Sequence, residues 1–354
     1  MEQLLSMSLE ELTAWLKAQG CPAFRGKQLY EWLQRGASFD EMTNLPKDFR
    51  ARLAECATAN PVRIRDAFVS KLDGTEKYLY ELDDGNLIEG VLMRYHHGNT
   101  LCLSTQIGCR MGCAFCASTL EGCVRSLTPA EMLGQIVAVN RRLNGDGRVG
   151  NVVLMGSGEP LDNYDNVMKF LRLMNDARGL NMSLRGVSLS TCGLVPNMYR
   201  LAGEGLPVTL SVSLHAPNDE IRKKLMPVAR TYAMEDVLAA CRNYVDKTGR
   251  RVIFEYAMVG DMNCEMAHAD ELAHRLRGLQ CHVNLIPLNE VKERGALKAP
   301  TPAQVERFMK RLEERHISVT RRREMGDDIQ GACGQLRRHT LMNEQKESSD
   351  TEGK

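Results

Sequence analysis

Three closely spaced cysteines are the residues of this sequence best suited to chemistry. Cys109, Cys113 and Cys116 stand at positions i, i+4 and i+7 of the stretch CRMGCAFC. Thiolates at this spacing suit a metal centre better than a disulfide framework. An iron–sulfur cluster normally takes four cysteine ligands, so three thiolates around a four-iron cluster leave one iron open to another molecule. A zinc site completed by a distant histidine or cysteine, and three buried structural cysteines, are the alternatives.

The elements that must position these thiols alternate between strand and helix from residue 101 to about residue 323. Apolar strands are predicted at residues 101–105, 152–155, 187–190, 208–213, 252–256, 283–286 and 317–320. Between them, helices are predicted from Thr128 onward and at residues 163–175, 234–245, 268–277 and 301–315. This alternation predicts a parallel sheet, open or closed into a barrel. In such barrels the chemistry gathers at the carboxyl ends of the strands.

Polar residues follow these strands where that rule expects them. The turn GSGEP at residues 156–160 comes directly after the second strand, and its Gly158 lets the backbone approach a ligand closely. We expect Glu159 to be an exposed carboxylate at the mouth of the barrel, able to accept hydrogen bonds from an ammonium group. An ordinary strand-to-helix turn is the alternative.

The third and fourth strands end on further candidates. Ser190 ends the third strand, and Ser213, Leu214 and His215 end the fourth. We interpret the side chain of His215 as a hydrogen-bonding group at a strand end, rather than a base or a ligand. The segment 211–218 is predicted to bind a nucleoside. Asn289 follows the sixth strand.

The regions outside the barrel differ in pattern. Residues 1–60 predict a small helical domain with scattered basic residues, either a solvated cap or an RNA-gripping module. Residues 61–98 alternate like strands and carry Asp-Gly turns, which predicts an antiparallel β extension. The barrel then spans residues 99–336, and residues 337–354 predict a disordered tail.

Two more residues have chemistry-bearing side chains. Glu89 lies among apolar neighbours in a strand, which makes it a candidate general base, although an outward-facing strand residue is the commoner case. Cys333 stands between small residues in a glycine-flanked loop and is predicted to be an accessible thiol, or an incidental exposed cysteine.

The composition excludes several classes of protein. The chain has 354 residues, 43% of them hydrophobic and 26% charged, as in an ordinary globular protein. The net charge of +1 gives no global field for nucleic acid, although a local basic surface stays possible. Twelve cysteines indicate metal or redox chemistry rather than a disulfide framework. There is neither a signal-peptide pattern nor an apolar run long enough to span a membrane, so we expect a cytoplasmic protein.

Taken together, the motifs resemble those of a known family. The CxxxCxxC spacing looks like the signature of radical S-adenosylmethionine enzymes. With GSGEPL, SLHAPN, NLIP and the GDDI and ACGQ stretches, it resembles the ribosomal RNA adenine-C2 methyltransferase family, which acts on 23S rRNA and on tRNA. The resemblance runs from about residue 4 to residue 336. It implies a partial (βα)6-type radical SAM barrel, a monomer, and a flavodoxin-type electron donor.

The resemblance also implies roles for individual residues. Cys109, Cys113 and Cys116 would hold a [4Fe-4S] cluster whose open iron binds S-adenosylmethionine. The rest of that cofactor would be bound by Gly158, Glu159, Ser190, Ser213, Leu214, His215 and Asn289. Cys333 would carry the methyl group, Cys102 would resolve the covalent RNA adduct by forming a disulfide with Cys333, and Glu89 would be the base. Two S-adenosylmethionine molecules would be consumed per methylation.

The sequence departs from the family pattern at a few positions, and rival functions stay open. Ser157 stands where methionine is usual, Cys123 where an aromatic residue is common, and Cys192 is an extra thiol. The nearest rival is the sister enzyme that methylates carbon 8 of the same rRNA adenosine. The rival of another class is a non-catalytic, metal-stabilised RNA-binding protein.

Overall fold

The sheet that carries the predicted site has ten strands. The computed structural model describes residues 1–288, 297–323 and 325–329. The strands of the sheet are β3 (Val62–Val69), β4 (Glu76–Leu82), β5 (Leu87–Tyr95), β6 (Gly98–Cys102), β9 (Val149–Leu154), β10 (Val187–Thr191), β11 (Thr209–Ser213), β12 (Val252–Met258), β13 (Cys281–Pro287) and β14 (Val319–Arg321). Within this part of the chain the strand order is β14-β13-β12-β11-β10-β9-β6-β5-β4-β3.

Two pairing patterns meet in this sheet. From β6 through β9 to β14 all neighbours are parallel, whereas β3, β4, β5 and β6 pair antiparallel. The predicted parallel sheet with an antiparallel extension is therefore confirmed. The first barrel strand ends at Cys102 rather than at residue 105, because the N–H groups of Thr105 and Gln106 donate to the carbonyl of Ser157 instead of to a strand.

Helices cover the outer face of the parallel strands. They are α4 (Pro129–Leu143), α5 (Tyr164–Asn175), α6 (Val195–Gly203), α7 (Asp219–Leu225), α8 (Met234–Thr248), α9 (Met266–Leu276) and α10 (Pro302–Glu314). The predicted capping box opens α4, since Thr128 and Glu131 bond each other's backbone N–H groups. Leu189, Val212 and Phe254 face these helices and are fully buried.

The opposite face of the same strands is polar. Register pairs Ser190 with Ser211 and Ser213 with Glu255, so these side chains share one face. The hydroxyls of Ser188 and Ser211 lie 2.8 Å apart there. The strands therefore have an apolar outer face that helices cover and a polar inner face. The polar side chains of the inner face surround an internal site.

The N-terminal helices pack on the barrel. They are α1 (Leu9–Ala18), α2 (Phe24–Gln34) and α3 (Lys47–Cys56), held together by a parallel pair of β1 (Glu2–Gln3) with β2 (Ala57–Thr58). Ala130 of α4 completes their apolar core, and its backbone N–H donates to Ser6 Oγ at 3.0 Å. No helix in the described ranges is long and apolar enough to cross a membrane.

A group of hydrogen bonds joins the two edges of the sheet. Ser70 Oγ donates to Asp328 Oδ1 at 2.6 Å, and the Lys71 N–H donates to Asp328 Oδ2 at 2.9 Å. The Gly326 N–H donates to Asp73 Oδ2 at 3.0 Å. Residues 70–73 follow edge strand β3, and residues 326–328 follow edge strand β14. We call these five residues the edge clasp, because they bring the ends of the curved sheet together.

Candidate active site

The three cysteines lie in a loop that a small hairpin closes. β7 (Gln106–Gly108) precedes the loop and pairs antiparallel with β8 (Cys123–Ser126). The Cys109 N–H donates to the Gly122 carbonyl at 2.8 Å. Gly108 has φ of +75°, and a Cβ there would overlap the Gly122 backbone, so only glycine fits. The hairpin therefore holds the first and last residues of the cysteine loop close together.

The cysteine loop docks on the carboxyl ends of the barrel strands. The Ala114 N–H donates to the Leu225 carbonyl of α7 at 2.8 Å. The ring of Phe115 meets the ring of His215 edge-on, with centroids 4.8 Å apart. Arg110 forms an ion pair with Asp162, which also accepts from Gln106 Nε2 at 2.9 Å. The loop is thus fixed to the strand ends that were predicted to bind a cofactor.

Close contacts hold the glycine-rich turn against residues 103–106, which lead into the cysteine loop. A Cβ on Gly156 would come within 2.6 Å of the Leu103 carbonyl oxygen. Gly158 has φ of +108°, and a Cβ there would lie 2.7 Å from the Gln106 nitrogen. Ser157 takes part through its backbone, since its carbonyl accepts from Thr105 and its N–H donates to Ser104 Oγ at 3.0 Å. A serine in place of the usual methionine leaves these backbone contacts intact.

Glu159 is buried, and the expectation of an exposed carboxylate was wrong. The residue is 4% exposed. Its Oε1 accepts from the Leu161 N–H at 3.0 Å and its Oε2 from the Cys192 N–H at 2.7 Å. Burial raises the pKa of this carboxyl, and the two backbone donors act in the opposite direction. Glu159 therefore ties the glycine-rich turn to the end of β10 while its side chain lines the cavity.

His215 is a hydrogen-bonding residue at a strand end, as predicted. It adopts φ of +57°, and its Nδ1 accepts from the Ala257 N–H at 2.9 Å. Its carbonyl accepts from Asn263 Nδ2 at 2.9 Å. Burial lowers the pKa of the imidazole to about 3, so the ring is neutral at physiological pH. With Nδ1 accepting, the proton sits on Nε2.

One cavity of about 290 Å³ gathers most of the predicted site. The cavity-lining residues among those predicted are Cys109, Cys113, Cys116, Gly158, Glu159, Ser190, Ser213 and His215. Leu214 is fully buried in the apolar core, so only its backbone is available to a ligand. Asn289 and Cys333 lie outside the described residues. The geometry thus brings together predicted residues from four segments of the chain that are distant in sequence.

The donor set of this cavity fits an iron–sulfur cluster with a bound nucleoside. Burial raises the pKa of the Cys109 thiol to about 12 and also that of Cys113, so cluster assembly would release protons from these thiols. Within the described ranges, no group of three or more His, Cys, Asp or Glu side chains is close enough together to bind a single metal ion. In a four-iron cluster each thiolate binds a different iron, so its ligands stand further apart than around one ion.

Sequence reasoning missed Glu255, which also lines the cavity. The residue is 4% exposed, and its Oε1 accepts from Asn284 Nδ2 at 3.2 Å. Its Oε2 is buried without a hydrogen-bond partner among the described residues. Burial raises the pKa of this carboxyl. A buried acceptor left open toward a cavity fits a ligand that brings hydroxyl or ammonium donors. The alternation of side chains along β12 could have indicated this residue, because Glu255 occupies an inward-facing position of the strand.

Glu89 and Cys102 occupy the inner face beside the cavity rather than its lining. Register pairs Val91 with both Cys102 and Lys77, so these three side chains share a face with Glu89, two residues from Val91. Glu89 is buried and forms an ion pair with the fully buried Lys77 at 3.2 Å. The alternative of an outward-facing Glu89 is therefore wrong, and sequence reasoning missed Lys77. Cys102 is 6% exposed.

The chain is similar to known proteins over nearly its whole length. A family model described as the radical SAM superfamily matches residues 103–273, and one described as the ribosomal RNA large subunit methyltransferase N-terminal domain matches residues 2–59. The probable dual-specificity RNA methyltransferase RlmN of Lachnoclostridium phytofermentans is 53% identical over 335 residues, which cover 94% of this chain and 93% of the relative. The protein of the same description from Clostridium beijerinckii is 50% identical and covers 100% of this chain and 99% of its own length.

A solved structure shows the same architecture. The crystal structure of a radical SAM methyltransferase from Sphaerobacter thermophilus has a TM-score of 0.91 and 43% sequence identity to this chain. The match covers 95% of this chain and 99% of the other. The fold, the cavity with its three cysteines and these relatives lead to one assignment. The chain belongs to the RlmN family of dual-specificity RNA methyltransferases, within the radical SAM superfamily.

Proposed function

We propose that this protein methylates carbon 2 of adenosine in 23S rRNA, at the peptidyl transferase centre, and in tRNA. The observation that carries the proposal is the cavity in which three cysteines meet the glycine-rich turn, two strand-end serines and His215. The names of the relatives, dual-specificity RNA methyltransferases, support the RNA substrate. The Oε2 of Glu255, which accepts no hydrogen bond from the described residues, supports a nucleoside-containing cofactor in the same cavity.

The residues divide into those that hold the cofactors and those that handle the methyl group. Cys109, Cys113 and Cys116 would hold a [4Fe-4S] cluster, and when bound, the cluster and S-adenosylmethionine together supply a radical that can take a hydrogen atom from a methyl group. Gly158 leaves room for the amino end of S-adenosylmethionine. Glu159 retains lone pairs for that ammonium group after accepting its two backbone N–H donors.

Ser190, the 213–215 segment and Asn289 would bind the remainder of S-adenosylmethionine. Ser190 and Ser213 present hydroxyls on the inner face of adjacent strands. The Nε2–H of His215 is a fixed donor at the cavity wall, because Nδ1 is occupied by the Ala257 N–H. The role of Asn289 rests on the family resemblance.

Three side chains would handle the methyl group and the adduct. Cys333 would accept a methyl group as S-methylcysteine from one S-adenosylmethionine, which leaves as S-adenosylhomocysteine. The radical supplied by a second S-adenosylmethionine would take a hydrogen atom from this methyl group, and the resulting carbon radical would bond to carbon 2 of adenine, giving a covalent RNA–protein adduct. Glu89, which pairs with Lys77, would remove the proton from carbon 2, and the adduct radical would return one electron to the cluster. The Cys102 thiol would then attack the Cys333 sulfur and break its bond to the methylene carbon. That carbon takes up a proton, the methylated base is released, and a Cys102–Cys333 disulfide remains.

The site of methylation is the decisive test against the carbon-8 alternative. RNA from cells with and without this protein would be digested, and the methylated adenosine located by mass spectrometry in rRNA and in tRNA. We expect 2-methyladenosine in both, and 8-methyladenosine would refute the proposal. A metal-stabilised RNA-binding protein instead predicts zinc. Anaerobic reconstitution followed by iron counting and absorption spectroscopy separates the two, and RNA binding without a cluster would favour the binding protein.

The roles of the two cysteines have a direct test. We expect Cys102→Ala to stop the reaction with RNA covalently attached at Cys333, which a gel shift that survives denaturation would reveal. Cys56→Ala is the matched control, because Cys56 is exposed in the N-terminal helices. It should turn over without an adduct. Absence of adduct in the Cys102→Ala variant would contradict the assigned roles. We further propose a monomer in the cytoplasm that receives electrons from a flavodoxin-type donor.

A further inference from the structure

Arg222 of α7 is a fully buried arginine with no carboxylate partner among the described residues. It is 0% exposed. Its Nη2 donates to the Cys192 carbonyl at 2.7 Å and its Nη1 to the Tyr232 carbonyl at 3.2 Å. Its Nε is buried without a hydrogen-bond partner in the part of the chain that the structure describes. Asp219, in the first turn of the same helix, accepts instead from the Met234 N–H. Carbonyl oxygens orient the guanidinium but do not neutralise it.

This arginine stands directly behind the wall that faces the predicted cluster. Cys192, whose carbonyl it binds, lines the cavity together with Cys109 and Cys113. One turn further along α7, the Leu225 carbonyl binds the backbone of the cysteine loop at Ala114. Gly193 has φ of +99°, and a Cβ there would lie 3.1 Å from Arg222 Nη2. A glycine at this turn is therefore what lets the guanidinium approach the cavity wall.

Because the guanidinium of Arg222 is buried, its positive charge requires a compensating negative charge nearby. Burial lowers the pKa of Arg222, while Cys192, Asp219 and Cys113 raise it. A guanidinium keeps its proton even so. A cluster held by three thiolates would supply such a charge, because its net charge is about minus one when its core is 2+ and about minus two when its core is 1+.

We propose that Arg222 raises the reduction potential of the cluster by stabilising its more negative, reduced form. The proposal rests on the proposed function, because it requires that the three cysteines hold a cluster. In the step concerned, a one-electron donor loses one electron, the cluster core changes from 2+ to 1+, and no bond is made or broken. A unit charge within about 10 Å, in surroundings with an effective dielectric constant of about 20, changes such an equilibrium by at least about tenfold. Arg222 is thus a residue that tunes electron transfer without touching substrate.

The test compares reduction potentials of reconstituted variants. Wild-type protein, Arg222→Met and Arg222→Lys would be titrated with dithionite, and the reduced cluster followed by electron paramagnetic resonance with and without S-adenosylmethionine. At the wild-type midpoint, Arg222→Met should lower the ratio of reduced to oxidised cluster at least about tenfold, a shift of ~59 mV to lower potential for one electron. Arg222→Lys keeps the charge and should stay within about threefold of wild type.

The controls separate charge from structure. Lys223→Met removes an exposed charge from the neighbouring position of α7 and should leave the potential unchanged. If Arg222→Met does not fold, Arg222→Gln replaces it, because glutamine retains a donor for the Cys192 carbonyl. A neutral variant with full iron content and the wild-type potential would overturn the inference, as would an equal shift in Arg222→Lys. Failure of the wild-type protein to bind iron would instead refute the proposed function.

Discussion

The stability of the protein is expected to depend strongly on the buried ion pair between Lys77 and Glu89. The two charged atoms are 3.2 Å apart, and the exposed fractions of the side chains are 0% and 9%. At this distance and an effective dielectric constant of about 20, their attraction is about 5 kcal/mol. Desolvation of both charges offsets much of it, but removing one partner leaves the other buried without its counter-charge. We therefore expect Lys77→Met to lower the free energy of unfolding by about 3–5 kcal/mol.

A double-mutant cycle isolates the contribution of the pair. Glu89→Gln in the Lys77→Met background removes the stranded charge and should recover at least about 2 kcal/mol, because a neutral amide costs less to bury than a carboxylate. The measurement is urea unfolding of cluster-free protein, followed by circular dichroism. Exposed pairs provide the control. Arg63 and Glu81 lie 3.7 Å apart on β3 and β4 with 68% and 39% of their side chains exposed, so Arg63→Met should cost under about 1 kcal/mol.

Two results would refute this reasoning. A loss below about 1 kcal/mol in Lys77→Met would show that water or another group compensates Glu89 as well as the lysine does. A double variant no more stable than Lys77→Met would show that the loss comes from packing of the lysine stem rather than from charge. Either outcome would also remove the support that the ion pair gives to Glu89 as a base.

Three further predictions concern the cavity. Gly158→Ala should lower stability by more than about 2 kcal/mol, measured by urea unfolding, because its Cβ would lie 2.7 Å from the backbone nitrogen of Gln106; Gly203→Ala, with open space around it, should not. The pKa of His215 is about 3 in the folded chain, against an ordinary value of 6.5. The free energy of unfolding that comes from keeping this imidazole neutral is therefore fully present above pH 6.5 and is lost as the pH falls toward 3. Between pH 7 and pH 5 wild-type protein should therefore lose about 2 kcal/mol more than His215→Asn, and equal losses would contradict the assigned burial. Glu255→Gln should weaken binding of S-adenosylmethionine to reconstituted protein at least about tenfold in equilibrium dialysis, since a hydrogen bond to a charged acceptor contributes about 1.5–3 kcal/mol, and unchanged affinity would place the ligand elsewhere.

Much of the fold was predictable because its signals are local. Capping boxes, Asp-Gly turns and apolar runs depend on residues close together in the sequence, and the structure has the helix start at Thr128 and the strand at residues 187–191 within a residue of the prediction. The cavity was predictable for a similar reason, because parallel strands bring their carboxyl ends to one edge. Cys109, Ser190 and His215 needed only that rule to be placed together.

The remaining features depend on partners that are distant in the sequence. The burial of Glu159 follows from the N–H of Cys192, 33 positions away, which no local pattern indicates. The pairing of Glu89 with Lys77 requires the register of β4 against β5, and a shift of one residue would separate them. Arg222 reads as an ordinary charged residue of a helix until α7 is seen to lie behind the cysteine loop. Register and helix docking are decided by the whole core, so single segments do not predict them.

The edge clasp has a consequence for how the barrel opens. Neighbouring strands of the sheet are joined by backbone ladders, whereas within the described residues its two edges meet through three hydrogen bonds that involve exposed residues such as Lys71 and Asp328. Each such bond contributes about 0.5–1.5 kcal/mol, so these three bonds together hold the edges by only a few kcal/mol, and breaking them unfolds no strand. Amide protons at Lys71 and Gly326 should accordingly exchange with solvent long before those of β10 or β11. The edge clasp is thus a part of the barrel wall with low local stability, and it lies opposite the strands that carry Ser190 and Ser213.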